Sequence, residues 1–439
     1  QRMIKLVNKA ESFIPRKINL NLIEDDYSEM QKSTLIDVLP LIRGLVGRIS
    51  IEKQLSNNWI LESRITKQIK EIISKNNFEE LIKRGVATPD HVIRTKSAPL
   101  YIDNFPLTKR DNLDWLVNLE KLLRKYIEDY EDYFSENNQR VGFSKTQLDP
   151  IPRLIFIKGV GMISLGKTKK NSIVNADIGE AWVETVLASE EIGSFSPVNA
   201  SDTFDLEYWS LEQAKLSKNI QKLLSGKIVA ISGAGGVIGR EIALLFAKNG
   251  AEIVSLDLDY GAAKETAKLC GSNALALKCD VTKKSDVLKT MELLVLEFGG
   301  LDILISNAGK AFQGLMSEIE EDSLKNSMNI NFFSHQFLSN AAINIFRLQD
   351  LETSSNLQKL GGQLLFNISK QSLNPGPKFG AYGIAKSALL SLMRQYALEE
   401  GENRIRSNGI NADRIKSGLL NNDLITSRSK ARGISEEAY

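Results

Sequence analysis

The chain has 439 residues with a formal charge of +2 at pH 7, and 42% of the residues are hydrophobic. This length and composition predict two or three domains with ordinary cores, and the small net charge gives no reason to expect nucleic acid as a partner. No apolar run is long enough to cross a membrane, and only two cysteines, Cys270 and Cys279, indicate a reducing, cytoplasmic setting rather than a disulfide framework.

The first half of the chain is predicted to be mostly helical. Apolar residues recur at helical spacing in three stretches, 3–10, 59–73 and about 113–134. Another apolar stretch, 33–49, is broken by Pro40 and two glycines. The elements predicted next are a strand at 153–157, a glycine turn with Gly159 and Gly161, a short strand, and helices at about 172–188 and 206–216. We place the boundary between the two halves near Leu224.

The segment ATPDHVIRTK holds His91, one of two histidines in the chain. A zinc site normally draws three or four ligands from His, Cys, Asp and Glu. The other histidine, His335, lies in the other half, so we expect no metal site. His91 fits two interpretations. It is either a loop residue hydrogen-bonded by Asp90 and Arg94, or part of a cationic site for phosphate together with Arg94 and Lys96.

The stretch KIVAISGAGGVIG, residues 227–239, predicts a buried strand, a glycine turn and the start of a helix. Glycines let the backbone approach a pyrophosphate closely, and a helix N-terminus offers free N–H groups and a positive dipole end. The alternative is a loop with no ligand, but the strand before the turn and the helix after it favour a dinucleotide site. The residues assigned to this site are Gly233, Gly235, Gly236, Val237, Ile238 and Gly239.

The second half alternates strands and helices, which predicts a parallel sheet covered on both faces. Its second strand ends in Asp257, where a ribose-binding carboxylate belongs. Because that carboxylate would repel a 2′-phosphate, we predict NAD rather than NADP, although Arg240 after the glycine turn is suited to such a phosphate. The six predicted strands are 227–231, 252–256, 274–278, 301–306, 362–368 and 404–411.

Two further strand ends carry residues assigned to the cofactor. Asp280 follows the third strand, where its side chain can hold the adenine edge, and Val281 is next to it. The fourth strand closes with Asn307, Ala308 and Gly309, which are small enough to leave room for a ribose.

The predicted chemistry lies at Ser369, Tyr382 and Lys386. Tyr382 and Lys386, in YGIAK, are four residues apart and share a helix face. A tyrosine is a poor base at its unperturbed pKa of about 10, and a nearby ammonium lowers that pKa. The same lysine can hold a ribose hydroxyl, and Ser369 can polarise a substrate oxygen. The alternative is that all three are surface residues, but their spacing within a dinucleotide fold favours hydride transfer.

The motifs SGAGGVIG, NAG, NIS and YGIAK resemble those of the short-chain dehydrogenase/reductase family, from about Ser225 onward. The resemblance implies an α/β fold with a Rossmann-type doubly wound parallel sheet and a homo-oligomer. It also implies a catalytic Asn-Ser-Tyr-Lys tetrad, which matches Asn331, Ser369, Tyr382 and Lys386, the last two also touching the cofactor.

The chain departs from that family pattern in three places. Lys370 takes the position of the second serine after Asn-Ile, although the spacing to the tyrosine supports Ser369. Asp413 and Arg414 replace the usual Pro-Gly after the sixth strand. The chain also stops at Tyr439, before a seventh strand, so we expect a fragment.

The segments TPDHVIRTK, GMISLGKTKK, FDLEYWSLEQAKL, NPGPKFGAYG and NADRIKSGLL resemble bifunctional enzymes of the rhamnulose-1-phosphate aldolase/alcohol dehydrogenase type. In that group a zinc-dependent class II aldolase of adducin-like α+β fold precedes the dehydrogenase. Its zinc histidines have no match here, and Val160 stands where one of them would be. The resemblance implies a terminal aldolase helix over 1–30, a degenerate aldolase-like domain over 31–200, a helical linker over 201–224 and an incomplete dehydrogenase domain over 225–439.

Two functions compete at this point. The first is NAD-dependent hydride transfer to or from a small hydroxyaldehyde or alcohol, such as the lactaldehyde of deoxy-sugar catabolism, without aldolase activity in this chain. The second is a non-catalytic scaffold that binds NAD or protein partners. Tyr382, Lys386 and the intact glycine turn favour the first.

Overall fold

The computed structural model describes residues 2–13, 29–106, 111–215, 222–413, 415, 422, 425–426, 429–430 and 433–437. Residues up to 215 form the helices α1 (Arg2–Phe13), α2 (Glu29–Glu52), α3 (Lys67–Ser74), α4 (Phe78–Leu81), α5 (Val92–Thr95), α6 (Asn112–Arg140), α7 (Lys169–Ile192), α8 (Ala200–Glu207) and α9 (Ser210–Lys215). Their strands are β1 (Ile60–Arg64), β2 (Leu100–Ile102), β3 (Leu154–Ile157) and β4 (Gly161–Gly166). The four strands form one mixed sheet in the order β1-β4-β3-β2.

The second half alternates strands and helices. The strands are β5 (Ile228–Ser232), β6 (Glu252–Asp257), β7 (Leu275–Lys278), β8 (Ile303–Ser306), β9 (Gly362–Asn367) and β10 (Ile405–Ile410). The helices are α10 (Val237–Lys248), α11 (Tyr260–Cys270), α12 (Lys284–Phe298), α13 (Glu321–Met328), α14 (Ser334–Gln349) and α15 (Gly380–Glu399). All six strands are parallel, in the order β10-β9-β8-β5-β6-β7.

This strand order is that of a doubly wound dinucleotide-binding sheet, so the predicted α/β fold class is confirmed. Alternate residues of β5 face opposite layers. Ile228 and Ala230 belong to the core shared with α12 and α14, whereas Val229 and Ile231 pack with Ala243 of α10. The six predicted strands agree with the observed ones to within two residues at each end.

The stretch 59–73 is not one helix, as its apolar spacing predicted. Residues 60–64 form β1, which pairs antiparallel with β4, and only Lys67–Ser74 is helical. Thr66 ends the extended segment and caps α3, since its side chain accepts from the N–H of Ile69. Three of the residues behind the prediction, Trp59, Ile60 and Leu61, are buried around a strand instead.

The predicted helix at 206–216 is also divided. α8 ends at Glu207, and α9 begins at Ser210 after a break at Tyr208 and Trp209. Residue 216 lies outside the described residues. Tyr208 is buried and stacks on Phe204 at 4.5 Å between ring centroids. The helix therefore breaks at a residue that packs into the core of the first half.

The apolar stretch 33–49 forms part of one continuous helix, α2, that runs through Pro40. Nearly every residue from Leu35 to Ser50 is buried. A helix that is apolar all round must be covered all round, and α2 contacts α6 and β1 of the first half and α12 and α14 of the second. Gly44 permits this proximity, because a Cβ there would lie 1.8 Å from the carbonyl oxygen of Gln349. Apolar residues of both halves therefore share one core.

A buried ion pair joins the halves beside α2. Arg43 donates to Asp302, just before β8, at 2.6 Å, to Gln349 at the end of α14 at 2.9 Å and to the carbonyl of Trp59 at 2.7 Å. Asp302 also pairs with Lys227 at 3.2 Å.

Two other contacts lie at the same end of the second sheet. Asn58 donates to the carbonyl of Ser225, which precedes β5, at 2.8 Å. The N–H of Lys169 donates to Glu252, the first residue of β6, at 2.8 Å. These contacts place the first half at the amino-terminal ends of the parallel strands. Among the described helices, none is both long enough and apolar enough to cross a membrane.

Candidate active site

The predicted glycine turn lies at the carboxyl end of β5. Gly233 has a φ of +65°, in the left-handed region that favours glycine. A Cβ on Gly239 would lie 2.1 Å from the Gly233 carbonyl oxygen. Gly236 precedes α10, and no side chain among the described residues caps that helix start. Its first N–H groups are therefore available to an anion such as a pyrophosphate.

Asp257 ends β6 beside this turn. Its Oδ2 accepts from the N–H of Gly235 at 2.9 Å, and a Cβ on Gly235 would lie 3.0 Å from the same oxygen. The glycine thus lets the carboxylate lie against the turn. Arg240 is directed to α11 instead, where it pairs with Glu265 at 3.0 Å.

A cleft of about 360 Å³ opens at these strand ends. The residues lining it that were assigned to the cofactor from sequence are Gly233, Gly236, Val237, Ile238, Gly239, Asp257, Asp280, Val281, Asn307, Ala308 and Gly309. Further lining residues, not assigned from sequence, are Leu258, Cys279, Thr282, Lys310, Ile330 and Asn367. Gly235, also assigned from sequence, is not among the lining residues, but its N–H holds Asp257 at the cleft.

Asp280 is fixed at the wall of the cleft by its neighbour Thr282. Its Oδ1 accepts from the Thr282 hydroxyl at 2.6 Å and from the Thr282 N–H at 3.1 Å. These bonds hold the pKa of Asp280 below its ordinary value. The carboxylate is therefore charged at neutral pH and already has hydrogen-bond donors on one oxygen.

The Asn-Ala-Gly loop after β8 is held by two residues that sequence reasoning missed. Ser232, wholly buried at the end of β5, accepts from the N–H groups of Asn307 at 2.9 Å and Ala308 at 3.1 Å. The Asn367 side chain donates to Asn307 Oδ1 at 2.9 Å. Both are polar residues at the carboxyl ends of parallel strands, and that position was the signal available in the sequence.

Ser369, Tyr382 and Lys386 come together next to the cleft. The Ser369 side chain lies close enough to the Tyr382 phenol to lower the pKa of that phenol, and its hydroxyl accepts from the N–H of Gln371 at 3.3 Å. Lys386 is buried, and its Nζ donates to the carbonyl of Asn367 at 2.9 Å. Ser369, the serine that the spacing supported, is thus the one near Tyr382, and its catalytic role stays a prediction.

Asn331 is buried where a turn of π-helix, Asn329–Phe333, separates α13 from α14. Its Oδ1 accepts from the N–H of Lys310 at 3.0 Å, and its Nδ2 donates to the carbonyl of Lys310 at 2.8 Å. A Cβ on Gly309 would lie 2.9 Å from Asn331 Oδ1 and 3.6 Å from Lys386 Nζ. Gly309 thus leaves Asn331 and Lys386 on either side of one small space.

Burial governs the protonation of the two titratable groups. It raises the pKa of Tyr382, and the interaction with Ser369 opposes that shift only in part. It lowers the pKa of Lys386 to about 7. The expectation that Lys386 would bring the tyrosine pKa below its ordinary value is therefore not met, because desolvation disfavours the phenolate. Tyr382 is protonated at neutral pH, the form that donates a proton.

Two of the departures from the family pattern face each other. Lys370 Nζ lies 3.0 Å from Asp413 Oδ2, and both side chains are about half exposed. The N–H of Lys370 also donates to the carbonyl of Ala412 at 3.0 Å. The lysine that replaces the second serine is thus turned towards the segment after β10, away from Tyr382. Arg414 lies outside the described residues.

Lys96, one member of the cationic site considered for His91, has its ammonium group paired inside the first half. Lys96 is buried and points inward, with its Nζ 3.0 Å from the Tyr130 hydroxyl and 3.5 Å from Glu207. Burial lowers its pKa to about 8. His91 ends a 3-10 turn, Pro89–His91, rather than lying in an irregular loop. In the part of the chain that the structure describes, no group of three or more His, Cys, Asp or Glu side chains is placed to hold a metal ion.

Comparison with known proteins identifies both halves. Residues 33–216 match the family "Aldolase class II, second domain", and residues 227–426 match the family "short chain dehydrogenase". The "Uncharacterized oxidoreductase YuxG" of Bacillus subtilis (strain 168) is 29% identical over 432 residues, which are 95% of this chain and 60% of that protein. The chain thus spans less than two thirds of the length of that relative.

Other matches cover less than half of the chain. An "Uncharacterized oxidoreductase" of Thermotoga maritima is 33% identical over 191 residues, 42% of this chain and 70% of that protein. The crystal structure of a 3-ketoacyl-(acyl-carrier-protein) reductase from Brucella melitensis complexed with NADH is 27% identical, with a TM-score of 0.42, and covers 44% of this chain and 78% of that one. On the dehydrogenase match and the Thermotoga relative, the chain belongs to the short-chain dehydrogenase family, whose members bind a nicotinamide cofactor, and it carries a class II aldolase-type domain before its dehydrogenase domain.

Proposed function

We propose that this chain is an NAD-dependent oxidoreductase that transfers a hydride between NAD and a small hydroxyaldehyde or alcohol of the lactaldehyde type. The observation that carries the proposal is the group formed by Ser369, Tyr382, Lys386 and Asn331 beside a cleft that ends at Asp257. The resemblance of both halves to bifunctional rhamnulose-1-phosphate aldolase/dehydrogenases supports the substrate class, in deoxy-sugar catabolism. We expect no aldolase activity from this chain.

The preference for NAD rests on the charges around the ribose end of the cleft. Asp257 is held at the glycine turn because its Oδ2 accepts from the N–H of Gly235 and its Oδ1 from the N–H of Asp259 at 3.0 Å. Each carboxylate oxygen has a second acceptor position for a ribose hydroxyl, and the negative charge would repel a 2′-phosphate. Arg240, the nearby cation suited to a phosphate, is paired with Glu265.

In the proposed mechanism the chain holds the substrate oxygen and handles its proton. When bound, the nicotinamide supplies or accepts the hydride. Ser369 donates a hydrogen bond to the carbonyl oxygen, where charge develops. Tyr382 gives that oxygen its proton during reduction and takes the proton back during oxidation. Lys386 is placed to hold the ribose and, when charged, to favour the phenolate.

The test is a spectrophotometric assay of the purified chain with NAD(H) and NADP(H) against a panel of small aldehydes and their alcohols. We expect turnover with NADH and hydroxyaldehydes, with Tyr382→Phe as the inactive control. NADH binding without turnover of any substrate in the panel would identify a scaffold rather than an enzyme. Tighter binding of NADPH than of NADH would refute the role given to Asp257.

We further propose that the chain forms a homo-oligomer and is cytoplasmic. The family resemblance supports the first statement, and the two unpaired cysteines, Cys270 and Cys279, support the second. Light scattering after size-exclusion chromatography measures the oligomeric state, and fractionation of the source cells measures the location.

A further inference from the structure

We propose that Ser327 is a positioning residue of this active site, joining Asn331 to the helix that carries Tyr382. The proposal rests on the function proposed above. Ser327 lies near the end of α13, one helical turn before Asn331, and is wholly buried. Neither the sequence patterns nor the family resemblance assigned it a role.

The Ser327 hydroxyl makes two hydrogen bonds, one as donor and one as acceptor. It donates to the carbonyl of Ala381 at 2.9 Å and accepts from Asn331 Nδ2 at 3.2 Å. A serine hydroxyl has one proton and two acceptor positions, so both bonds can form together. Ala381 directly precedes Tyr382 near the start of α15.

The bonds of Asn331 extend this link to the cofactor cleft. Asn331 bonds both the N–H and the carbonyl of Lys310, which lines the cleft. One buried hydroxyl therefore connects the start of α15, the π-helical turn and the loop after β8. These segments carry the phenol, the catalytic asparagine and a wall of the nicotinamide cleft.

Loss of this hydroxyl should affect geometry more than binding. Asn331 keeps its bonds to Lys310, and Ala381 keeps its place in the helix, so both segments remain folded. They lose the bond that fixes their separation, and small misplacements of a catalytic group reduce the rate steeply. The glycine turn follows β5 and Asp257 ends β6, so neither belongs to the segments joined by Ser327. Their contacts with the cofactor should therefore be unaffected.

The test compares Ser327→Ala with Ser334→Ala as a matched control. Ser334 is also wholly buried and lies seven residues further along, but among the described residues its hydroxyl bonds only to the carbonyl of Ile330, four residues earlier in the chain, at 2.7 Å, so it joins no separate segment. We expect Ser327→Ala to lower kcat about 10-fold or more while KM for NADH stays within about twofold. Ser334→Ala should change neither. Ser327→Cys, which keeps the shape and a weak donor, should fall between wild type and Ser327→Ala.

Hydrogen–deuterium exchange of the peptide 378–386 gives a second readout that needs no turnover. We expect faster exchange in Ser327→Ala than in Ser334→Ala or wild type. Equal kcat in the two alanine variants, or a loss confined to KM, would overturn the positioning role. If wild type itself shows no hydride transfer, the proposed function fails. Unchanged exchange in Ser327→Ala would then reject the link itself, while faster exchange would retain it as a structural bond.

Discussion

The buried ion pair between the halves gives a stability prediction with a defined size. Arg43→Met removes three hydrogen bonds, to Asp302, Gln349 and the carbonyl of Trp59. Removing one partner of a buried ion pair costs about 3–5 kcal/mol, because the remaining charge stays buried. Asp302 keeps a bond from the N–H of Ile228 at 2.8 Å and its pairing with Lys227. We therefore expect a loss near the lower end, about 3 kcal/mol.

The matched control is Lys53→Met. Lys53 pairs with Glu131 at 2.6 Å, but both side chains are more than one third exposed, and such pairs contribute about 1 kcal/mol or less. Equilibrium urea unfolding measures both variants. All four tryptophans lie before residue 216, so their fluorescence follows the first half, while far-UV circular dichroism follows the whole chain.

The shared core leads us to expect coincident transitions by the two probes in wild type. An Arg43→Met loss of stability no larger than that of Lys53→Met would refute the reasoning.

The pH dependence of this stability difference adds a check. Burial alone would raise the pKa of Asp302, but attraction by Arg43 and Lys227 holds it below its ordinary value. The stabilisation is thus present above the unfolded pKa of about 3.9 and lost as pH falls through the folded pKa. The free energies of unfolding of wild type and Arg43→Met should therefore differ least in acid.

Four further predictions concern the chemistry. Tyr382→Phe should lower kcat at least about 100-fold with NADH affinity nearly unchanged, whereas Lys386→Ala should lower kcat and also weaken NADH binding. Stopped-flow turnover measures the first quantity and NADH titration the second. Residual activity above a few per cent in Tyr382→Phe would contradict the assignment. Because burial raises the pKa of Tyr382, alcohol oxidation, which needs the phenolate, should rise with pH through the alkaline range while reduction is fastest at lower pH; an oxidation rate already level at neutral pH would argue otherwise. Ser369→Ala should lower kcat about 100-fold and Lys370→Ala less than about threefold, since an exposed pair such as that of Lys370 contributes little; the reverse order would assign catalysis to position 370. Finally, elemental analysis should find no stoichiometric zinc and assays no cleavage of rhamnulose 1-phosphate; chelator-sensitive cleavage would reveal a working aldolase site.

The second sheet was predictable because each of its strands carries its own local signal. Buried β-branched runs bounded by glycine, aspartate or asparagine identify β5, β6 and β8 without knowledge of their neighbours. Parallel strands then bring their carboxyl ends to one edge. The positions of Asp257 and Asn307 at the cleft follow from that rule alone.

Other features depend on tertiary contacts that no local pattern records. α2 continues through Pro40 inside a core to which both halves contribute. The apolar spacing of 59–73 suits a helix, but residues 60–64 pair with β4 as a strand instead. Lys370 and Asp413 were each noticed as unusual, but their pairing joins residues 43 positions apart. Ser327 carries no sequence pattern, since it lies on a helix and its role depends on the partners of its hydroxyl, Ala381 and Asn331.

The first half and the cofactor cleft lie at opposite ends of the parallel strands. It contacts the strand ends at Ser225, Glu252 and Asp302, whereas the cleft opens at the opposite ends of the same strands. Strands of five or six residues, at about 3.3 Å per residue, separate those ends by roughly 15–20 Å. The length of the strands therefore separates these contacts from the cleft. Substitutions at Ser225, Glu252 or Asp302 should change how the two halves are joined without altering a residue that lines the cleft.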